Sequence, residues 1–478
     1  MTQKTDTYEQ MKPSGLPFLG DIPAHWTVDR LSAVGRFGKG KGGSKRDDTD
    51  QGVACVRYGE IYTTYADRIV EVKTRIAEAR STAYSPIQRG DVLLTASGED
   101  LEEIGQAAVY LSDERAVCGG DLVILRPSQD FEPLFLSYAL NSRPSVWQKA
   151  QMGRGTTVKH IYPTQLRSLA CAVPPVSEQR LIARFVSNFH SRADRAIAAK
   201  RKTIGLLNEQ KQAIIHQAVT RGLDPTVPLK PSGMPWLGDI PAHWTVSRLS
   251  AVGRFGKGKG GSKQDDTDRG VSCIRYGEIY TTYADRIVEV RTRIAEARSS
   301  SYSPIQRGDV LLTASGEDLE EIGQAAVYLS DERAVCGGDL VILRPSQGFD
   351  PLFLSYALNS RSSVWQKAQM GRGTTVKHIY QAQLRSLTCA FPPPAEQQAI
   401  VAFVDEQSRR VETGTAKLER ECELLTEYRT RLTSDVVTGK LDVREAAKAL
   451  TELDGGLAEL VEIPTSDADD ELELAETP

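Results

Sequence analysis

KPSGLPFLGDIPAHW at Lys12–Trp26 returns as KPSGMPWLGDIPAHW at Lys230–Trp244, an offset of 218 residues. The offset persists without a gap to Ala172 and Ala390, and only 16 of 161 aligned positions differ. Most differences are mild: Val56 against Ile274, Lys73 against Arg291, Glu132 against Asp350. The stretches that follow, Val176–Gly222 and Pro394–Lys440, keep the offset but match at only 12 of 47 positions. The chain is therefore a duplicated unit: a globular domain followed by a second kind of segment. The two parts of that unit have diverged to very different degrees. A recent copying of the globular domain alone, onto an older duplicated frame, explains this and suits a part whose job is exchangeable.

Each globular copy is long enough, at about 160 residues, to bury its own core. Short apolar runs bounded by turn residues predict strands at Ala54–Tyr58, Asp91–Ala96, Ala107–Leu111 and Asp121–Leu125. A helix is expected over Pro133–Met152, with Leu134, Leu136, Ala139 and Leu140 on one face and Trp147 and Ala150 further along. Another is expected over Lys73–Ser81, and Trp26 and Trp244 are expected to anchor the cores.

The divergent segments each open after a proline stop, VPPVSEQ at Val173 and FPPPAEQ at Phe391. Apolar residues then recur three and four apart: Ile182, Val186, Phe189, Ala193, Ile197, Ile204, Leu207, Ile214 and Ala218 in the first. In the second they are Ile400, Val404, Val411, Leu418, Cys422, Leu425, Leu432 and Val436. Such sustained heptads predict coiled-coil helices, each spanning roughly 65 Å at about 1.5 Å per residue. Lys200, Lys211 and Arg429 interrupt the seam and either snorkel or fix its register. From periodicity alone, the helices serve equally as a stabilising hairpin or as a measured spacer.

Composition is that of an ordinary globular protein, with 40% hydrophobic and 26% charged residues. No apolar run approaches the roughly 20 residues that span a bilayer, and MTQKTDTYEQ lacks the pattern of a signal peptide. A cytoplasmic protein with no membrane partner is expected. The seven cysteines include no CxxC pair and read as buried thiols. Net charge is −4, but ten acidic and no basic residues lie from Glu452 onward, leaving −4 + 10 = +6 for the remainder. That end reads as a solvated, disordered tail, with a docking role or a DNA-mimicking brake as alternatives.

The GLPFLGDIPAHW and GMPWLGDIPAHW segments resemble the opening of target-recognition domains in the DNA-specificity (S) subunits of type I restriction-modification systems. GDVLLTASGED, GRGTTVKH, QLRSL and the PP-x-x-EQ-x-x-I element follow in that family's order. The last element is Pro174, Pro175, Glu178, Gln179 and Ile182, then Pro392, Pro393, Glu396, Gln397 and Ile400. The resemblance covers Lys12 to about Asp442. It implies an α+β fold: two near-identical mixed α/β target-recognition domains separated by two long antiparallel coiled-coil helices, a pseudo-twofold internal repeat. Recognition domains are expected at 1–175 and 223–393, spacer helices at 176–222 and 394–442, and the acidic tail at 443–478.

The family implies a non-catalytic subunit that binds double-stranded DNA. Its partners are two methyltransferase (M) subunits and two motor-nuclease (R) subunits. Cofactors are expected in those partners, S-adenosylmethionine, ATP and magnesium, with none bound by this chain. The departure is the near identity of the two domains, which usually differ. It predicts an interrupted palindrome whose half-site centres lie roughly one helical turn apart. A subunit serving a type IIB-like enzyme, or a coiled-coil scaffold that binds no DNA, are the alternatives.

Residue types nominate the contacts. Arg36, Lys39, Lys41, Lys45 and Arg46 lie among glycines in RFGKGKGGSKRDD, where flexible backbone allows close approach to phosphates. The second copy keeps Arg254, Lys257, Lys259 and Lys263 but has Gln264. RYGEIYTT supplies Arg57, Tyr58, Tyr62 and Thr63, repeated as Arg275, Tyr276, Tyr280 and Thr281, types that bond guanine, other bases or phosphates. Tyr58 and Tyr62 also suit a core with satisfied hydroxyls. GRGTTVKH supplies Arg154, Thr156, Thr157 and Lys159, then Arg372, Thr374, Thr375 and Lys377, suited to phosphate contact or to bracing the domain. Glu99 or Asp100 is a candidate acceptor for a cytosine amino group, though a solvated turn is the plainer reading.

Catalytic patterns do not emerge. No NPPY, NPPF, DPPY or DPPF methyltransferase motif and no Walker A loop occurs. Asp67 with Glu71-Val72-Lys73 loosely resembles a nuclease site, but the second copy has Arg291 in place of the lysine. No catalytic residue and no metal site is expected.

Overall fold

The computed structural model describes residues 7–101, 103–319 and 321–453. Two compact units emerge, Met1–Ala199 with Arg420–Pro478, and Lys200–Glu419. Each unit holds one globular copy and part of both long helices, which run Val176–Arg221 and Pro394–Val437.

In the first unit a five-stranded sheet is ordered Gly35–Lys39, Leu122–Pro127, Val92–Thr95, Ala107–Tyr110, Arg68–Ile69. Its neighbours are antiparallel except the last pair. Alternation serves two cores. Val92, Leu94, Ala107, Val109, Val123 and Leu125 face the Trp26 core, which the helices complete. Leu93, Ala108, Tyr110, Leu122 and Ile124 face a second core. A second sheet covers it, ordered Asp48–Thr49, Arg75–Ile76, Val53–Val56, Ala116–Cys118, Ser85–Ile87. Burial on both faces explains why these strands read as unbroken apolar runs rather than alternating ones. The second unit repeats both sheets in the same order.

Trp26 and Trp244 are fully buried, and the PP-x-x-EQ element explains how. Glu178 accepts hydrogen bonds from Trp26 Nε1 at 3.1 Å and Tyr8 OH at 2.6 Å, and its other oxygen lies 2.7 Å from His25 Nε2. Gln179 accepts from Glu132 N at 2.8 Å and donates to Pro174 O at 2.9 Å. The start of each long helix is thus bonded to its domain's opening segment. Glu396 and Gln397 repeat the arrangement with Trp244, His243 and Asp350 N.

The helices run antiparallel within each unit. In the first, His190 lies against Thr433 and Asp194 against Arg429, and Val186 and Val436 share the core. In the second, Lys211 pairs with Glu412 at 2.7 Å and Ile215 shares a core with Ile400 and Val404. Lys211 and Arg429 therefore fix register through ion pairs. Among the described residues, no helix is long and apolar enough to cross a membrane.

Three expectations need correction. Lys73–Ser81 is not an α-helix: Arg75–Ile76 is a strand paired with Asp48–Thr49 on one side and Val53–Val56 on the other, and Glu78–Ala83 is a 3-10 turn. Its charges alternate with apolar residues because Val72 and Ile76 point inward. Pro133–Met152 is two helices, Pro133–Leu140 and Arg143–Met152, broken at Asn141–Ser142. The second unit breaks at the equivalent place with Ser362 where Pro144 stands, so proline is not required for the break. Trp147 is half-exposed and stacks on Phe18 rather than entering the core. Finally, Arg444–Leu453 is a helix seated on the first unit, with Val443 and Ala447 buried, where a tail from 443 was expected. The acidic stretch beyond it lies outside the described residues.

Candidate nucleic-acid interface

Three of the nominated segments meet along one edge of each domain. The glycine-rich loop comes first. A Cβ at Gly40 would lie 1.8 Å from Gly119 O, so only glycine permits this approach of the loop to Gly119. Tyr84 packs under Gly42 and donates to Asp47 at 2.9 Å. Lys39, Lys41, Lys45 and Arg46 stand exposed on this scaffold, as do Lys257, Lys259 and Lys263 in the second unit. Arg36 and Arg254 are exposed too, but at the other end of the strand, about 10 Å from the turn at ~3.3 Å per residue.

The segment Arg57–Thr64 follows, folded into a short helix and a π-helical turn over Ile61–Tyr65. Arg57 reaches back to the glycine loop, donating to Ser44 O at 3.0 Å and to the Asp48 carboxylate. Tyr62 reaches forward, with its hydroxyl 2.7 Å from both Thr95 Oγ1 and Ser97 O. Burial pushes its phenol up to about 12. Both side chains are engaged in holding the edge together, as are Arg275 and Tyr280. Tyr58 and Tyr276 are exposed, with Tyr58 edge-on to Tyr62. Thr63 and Thr281 are exposed and donate to Gly59 O and Gly277 O at 3.1 Å.

ASGED and GRGTTVKH form one structure. Ser97–Gly98 pairs antiparallel with Lys159–His160, and Ser97 Oγ lies 2.9 Å from His160 Nδ1. Gly155, at φ +129°, is obligatory, because a Cβ there would sit 2.0 Å from Val158 O. Lys159 closes the turn by donating to Thr156 O at 2.5 Å and Gly155 O at 3.0 Å. Lys377 does the same with Thr374 and Gly373. Arg154, Thr156, Thr157, Arg372, Thr374 and Thr375 remain exposed. Glu99 and Asp100 are exposed on the neighbouring turn.

The nominated residues thus divide by geometry. One set is exposed; Arg57, Tyr62, Lys159 and their counterparts shape the loops that carry it. Lysines on glycine-backed turns, beside a hydroxyl-rich loop, can neutralise phosphates and place polar groups near base edges. Lys149, buried beneath the paired loops, was missed. Its signal was a lone lysine between Gln148 and Ala150 on a helix whose Ser145 and Gln148 also point inward.

The nuclease-like pattern is dismantled. Asp67 is held by Arg68 at 3.0 Å and His190 at 2.9 Å, which keep its carboxyl down near 2 against the raising effect of burial, and Lys73 is exposed. Six of the seven cysteines are buried free thiols, and burial lifts Cys118 to about 12.

Comparison with known proteins matches this chain to a family. A family model described as the type I restriction modification DNA specificity domain matches residues 23–204 and again 241–420. A Methanocaldococcus jannaschii protein provisionally described as the type I restriction enzyme MjaX specificity subunit is 24% identical over 447 residues, 89% of this chain and 96% of that one. The MjaVIII specificity subunit of the same organism is 22% identical, covering 88% and 94%. The EcoKI specificity subunit of Escherichia coli strain K12 is 20% identical, covering 81% and 83%. One solved chain, from work on complex assembly and conformational transition of the type I R-M system, has a TM-score of 0.67 at 18% identity. It covers 88% of this chain and 99% of its own length, and at that identity it speaks for the fold alone.

Proposed function

The chain belongs to the type I restriction-modification DNA specificity family, and we propose that its two recognition domains read the two halves of an interrupted palindrome. The observation that carries this is the repetition of one exposed basic and hydroxyl-rich edge, with the same supporting hydrogen bonds, in both units. Near-identical readers match near-identical half-sites, because symmetry in the protein is mirrored in its target. Exposed lysines and arginines contact phosphates, so binding weakens steeply with salt. Tyr58, Thr63, Thr156, Thr157 and their counterparts lie where base edges are read.

The chain supplies recognition, and chemistry belongs to its partners. Methyltransferase subunits flip one adenine per half-site into their own pockets, and motor-nuclease subunits cleave. S-adenosylmethionine, ATP and magnesium are bound there and not by this chain. Two copies of each partner fit a chain built from a duplicated unit.

Methylome sequencing tests this in a host expressing the chain with its methyltransferase, against one lacking the chain. Modified adenines in one interrupted palindrome, absent without the chain, are expected. An asymmetric motif would overturn the matched half-sites. No chain-dependent methylation, with an active methyltransferase present, would overturn the DNA-specificity role.

A further inference from the structure

Lys149 is 1% exposed, yet no carboxylate accounts for it. Its Nζ donates to Gly105 O at 2.6 Å and to Leu140 O at 2.9 Å. Burial pulls its ammonium down to about 7. Lys367 repeats this in the second unit, donating to Gly323 O at 2.8 Å and Leu358 O at 2.9 Å. An apolar side chain would fill the same space without the cost of desolvating an amine, so the lysine has a task that packing does not explain.

Its neighbours indicate the task. Gly105 closes the turn that carries Ser97–Glu103, with its N–H donating to Thr95 O at 2.8 Å. Leu140 ends a helix, so its carbonyl is among those left without an intrahelical donor. Lys149 lies one turn before the end of its own helix, at Met152, and Gly153 follows. A Cβ at Gly153 would lie 2.4 Å from Ile104 and 2.7 Å from Leu101, so the second loop starts directly against the first. At the far end the two loops pair through Ser97–Gly98 and Lys159–His160. Gly105 itself, at φ +70°, admits the lysine stem, since a Cβ there would meet Lys149 Cδ at 2.6 Å.

We infer that Lys149 and Lys367 are positioning residues for base reading: each fastens the root of the ASGED turn to the helix that launches GRGTTVKH, fixing both loops as one reading element. The inference rests on the DNA-recognition reading above. It assigns specificity to two side chains too deep to touch DNA.

The test uses the full complex in cells and the same methylome readout. Lys149→Met removes the donors and keeps the volume. The expected result is methylated sites in which one half matches the wild-type motif and the other is relaxed, with tolerance of mismatched bases raised at least tenfold in that half. Lys367→Met gives the same one-sided pattern, and the double variant relaxes both halves. The slope of binding against salt stays that of the wild type, because no phosphate contact is lost. A merely structural role would lower methylation at every site and leave the motif unchanged, and that result would overturn the inference. Full specificity in a folded Lys149→Met complex would overturn it equally. If Lys149→Met melts below the assay temperature, the cells are grown and the methylome is read below that melting point, where the same two outcomes decide. Absence of a chain-dependent motif in the wild type would instead be a failure of the DNA-recognition reading.

Discussion

Asp67 and Asp285 occupy equivalent places in two nearly identical domains, yet the helices hold them differently. In the first unit Asp67 binds Arg68 and His190, and the far nitrogen of His190 lies 2.8 Å from Thr433 Oγ1. Arg68 also donates to Ser187 at 2.8 Å and Tyr138 at 2.7 Å. In the second unit, Ser408 stands where His190 would be, Asp405 where Ser187 would be, and Ile215 where Thr433 would be. Arg286 turns to Asp405 at 2.6 Å, and Tyr356 OH donates to the same oxygen at 2.5 Å. Ser408 Oγ is left buried with no hydrogen-bond partner among the described residues. The docking chemistry has been rewired, while the basic and hydroxyl-rich edge differs only mildly, as at Arg46 against Gln264 and Gln51 against Arg269. A domain can therefore be recopied onto a diverged frame as long as each arginine finds a carboxylate or its equivalent there.

The sharpest way to test the asymmetry is at the helix starts. Glu178 is nearly buried and accepts from three donors, whereas Glu396 is more open and accepts from two. Glu178→Ala should cost about 4 kcal/mol and Glu396→Ala about 2 kcal/mol, because each stranded buried donor costs roughly 1–3 kcal/mol. Equilibrium denaturation in urea reads the difference, and equal losses would break the comparison.

Asp67→Asn should cost about 2 kcal/mol near neutral pH, on the rule of about 1.4 kcal/mol per pKa unit. The Asp67 carboxyl lies near 2 in the folded protein, below its ordinary 3.8. Its contribution is therefore complete above about pH 4 and is lost as pH falls toward 2. Melting curves of wild type and Asp67→Asn should converge across that window. A gap that stays constant would remove the charge from the explanation.

On the recognition edge the copies should behave alike. Lys41→Ala and Lys259→Ala should each lower the slope of log affinity against log salt by about 0.9, the value for one phosphate contact. Unequal changes would show that the two edges meet DNA differently. The smallest effect belongs to the substitutions that distinguish the loops. Arg46→Gln with Gln51→Arg moves one positive charge along an exposed turn, as the second copy does with Gln264 and Arg269. Binding should change by less than about 0.5 kcal/mol, with the methylated motif unaltered.

Much of this molecule is legible in the chain itself. The 218-residue offset sets the duplication, and heptads set the long helices, because a 3.6-residue period leaves few other ways to bury one stripe. Doubly buried strands announce themselves as apolar runs. Where periodicity is weak, the reading failed. Lys73–Ser81 alternates over too few residues to separate strand from helix, and Trp147 gave no sign that Phe18 would cover it outside the core.

Local sequence proposed which side chains belong near DNA, but only the tertiary structure divided them. Arg57, Tyr62 and Lys159 have the same chemistry as their exposed neighbours and were nominated with them. They turn back onto the loops because Asp48, Ser97 and Gly155, distant in sequence or hidden within a turn, accept hydrogen bonds from them. Lys149 was passed over for the converse reason. A lysine is read as a solvated group unless the fold closes over it, and the two carbonyls that hold it lie 44 and 9 residues away. Hydrogen bonds between such separated partners depend on chain topology, which no local pattern encodes. Apolar periodicity is a property of one segment meeting water, and so the sequence alone determined the repeat, the helices and the cores.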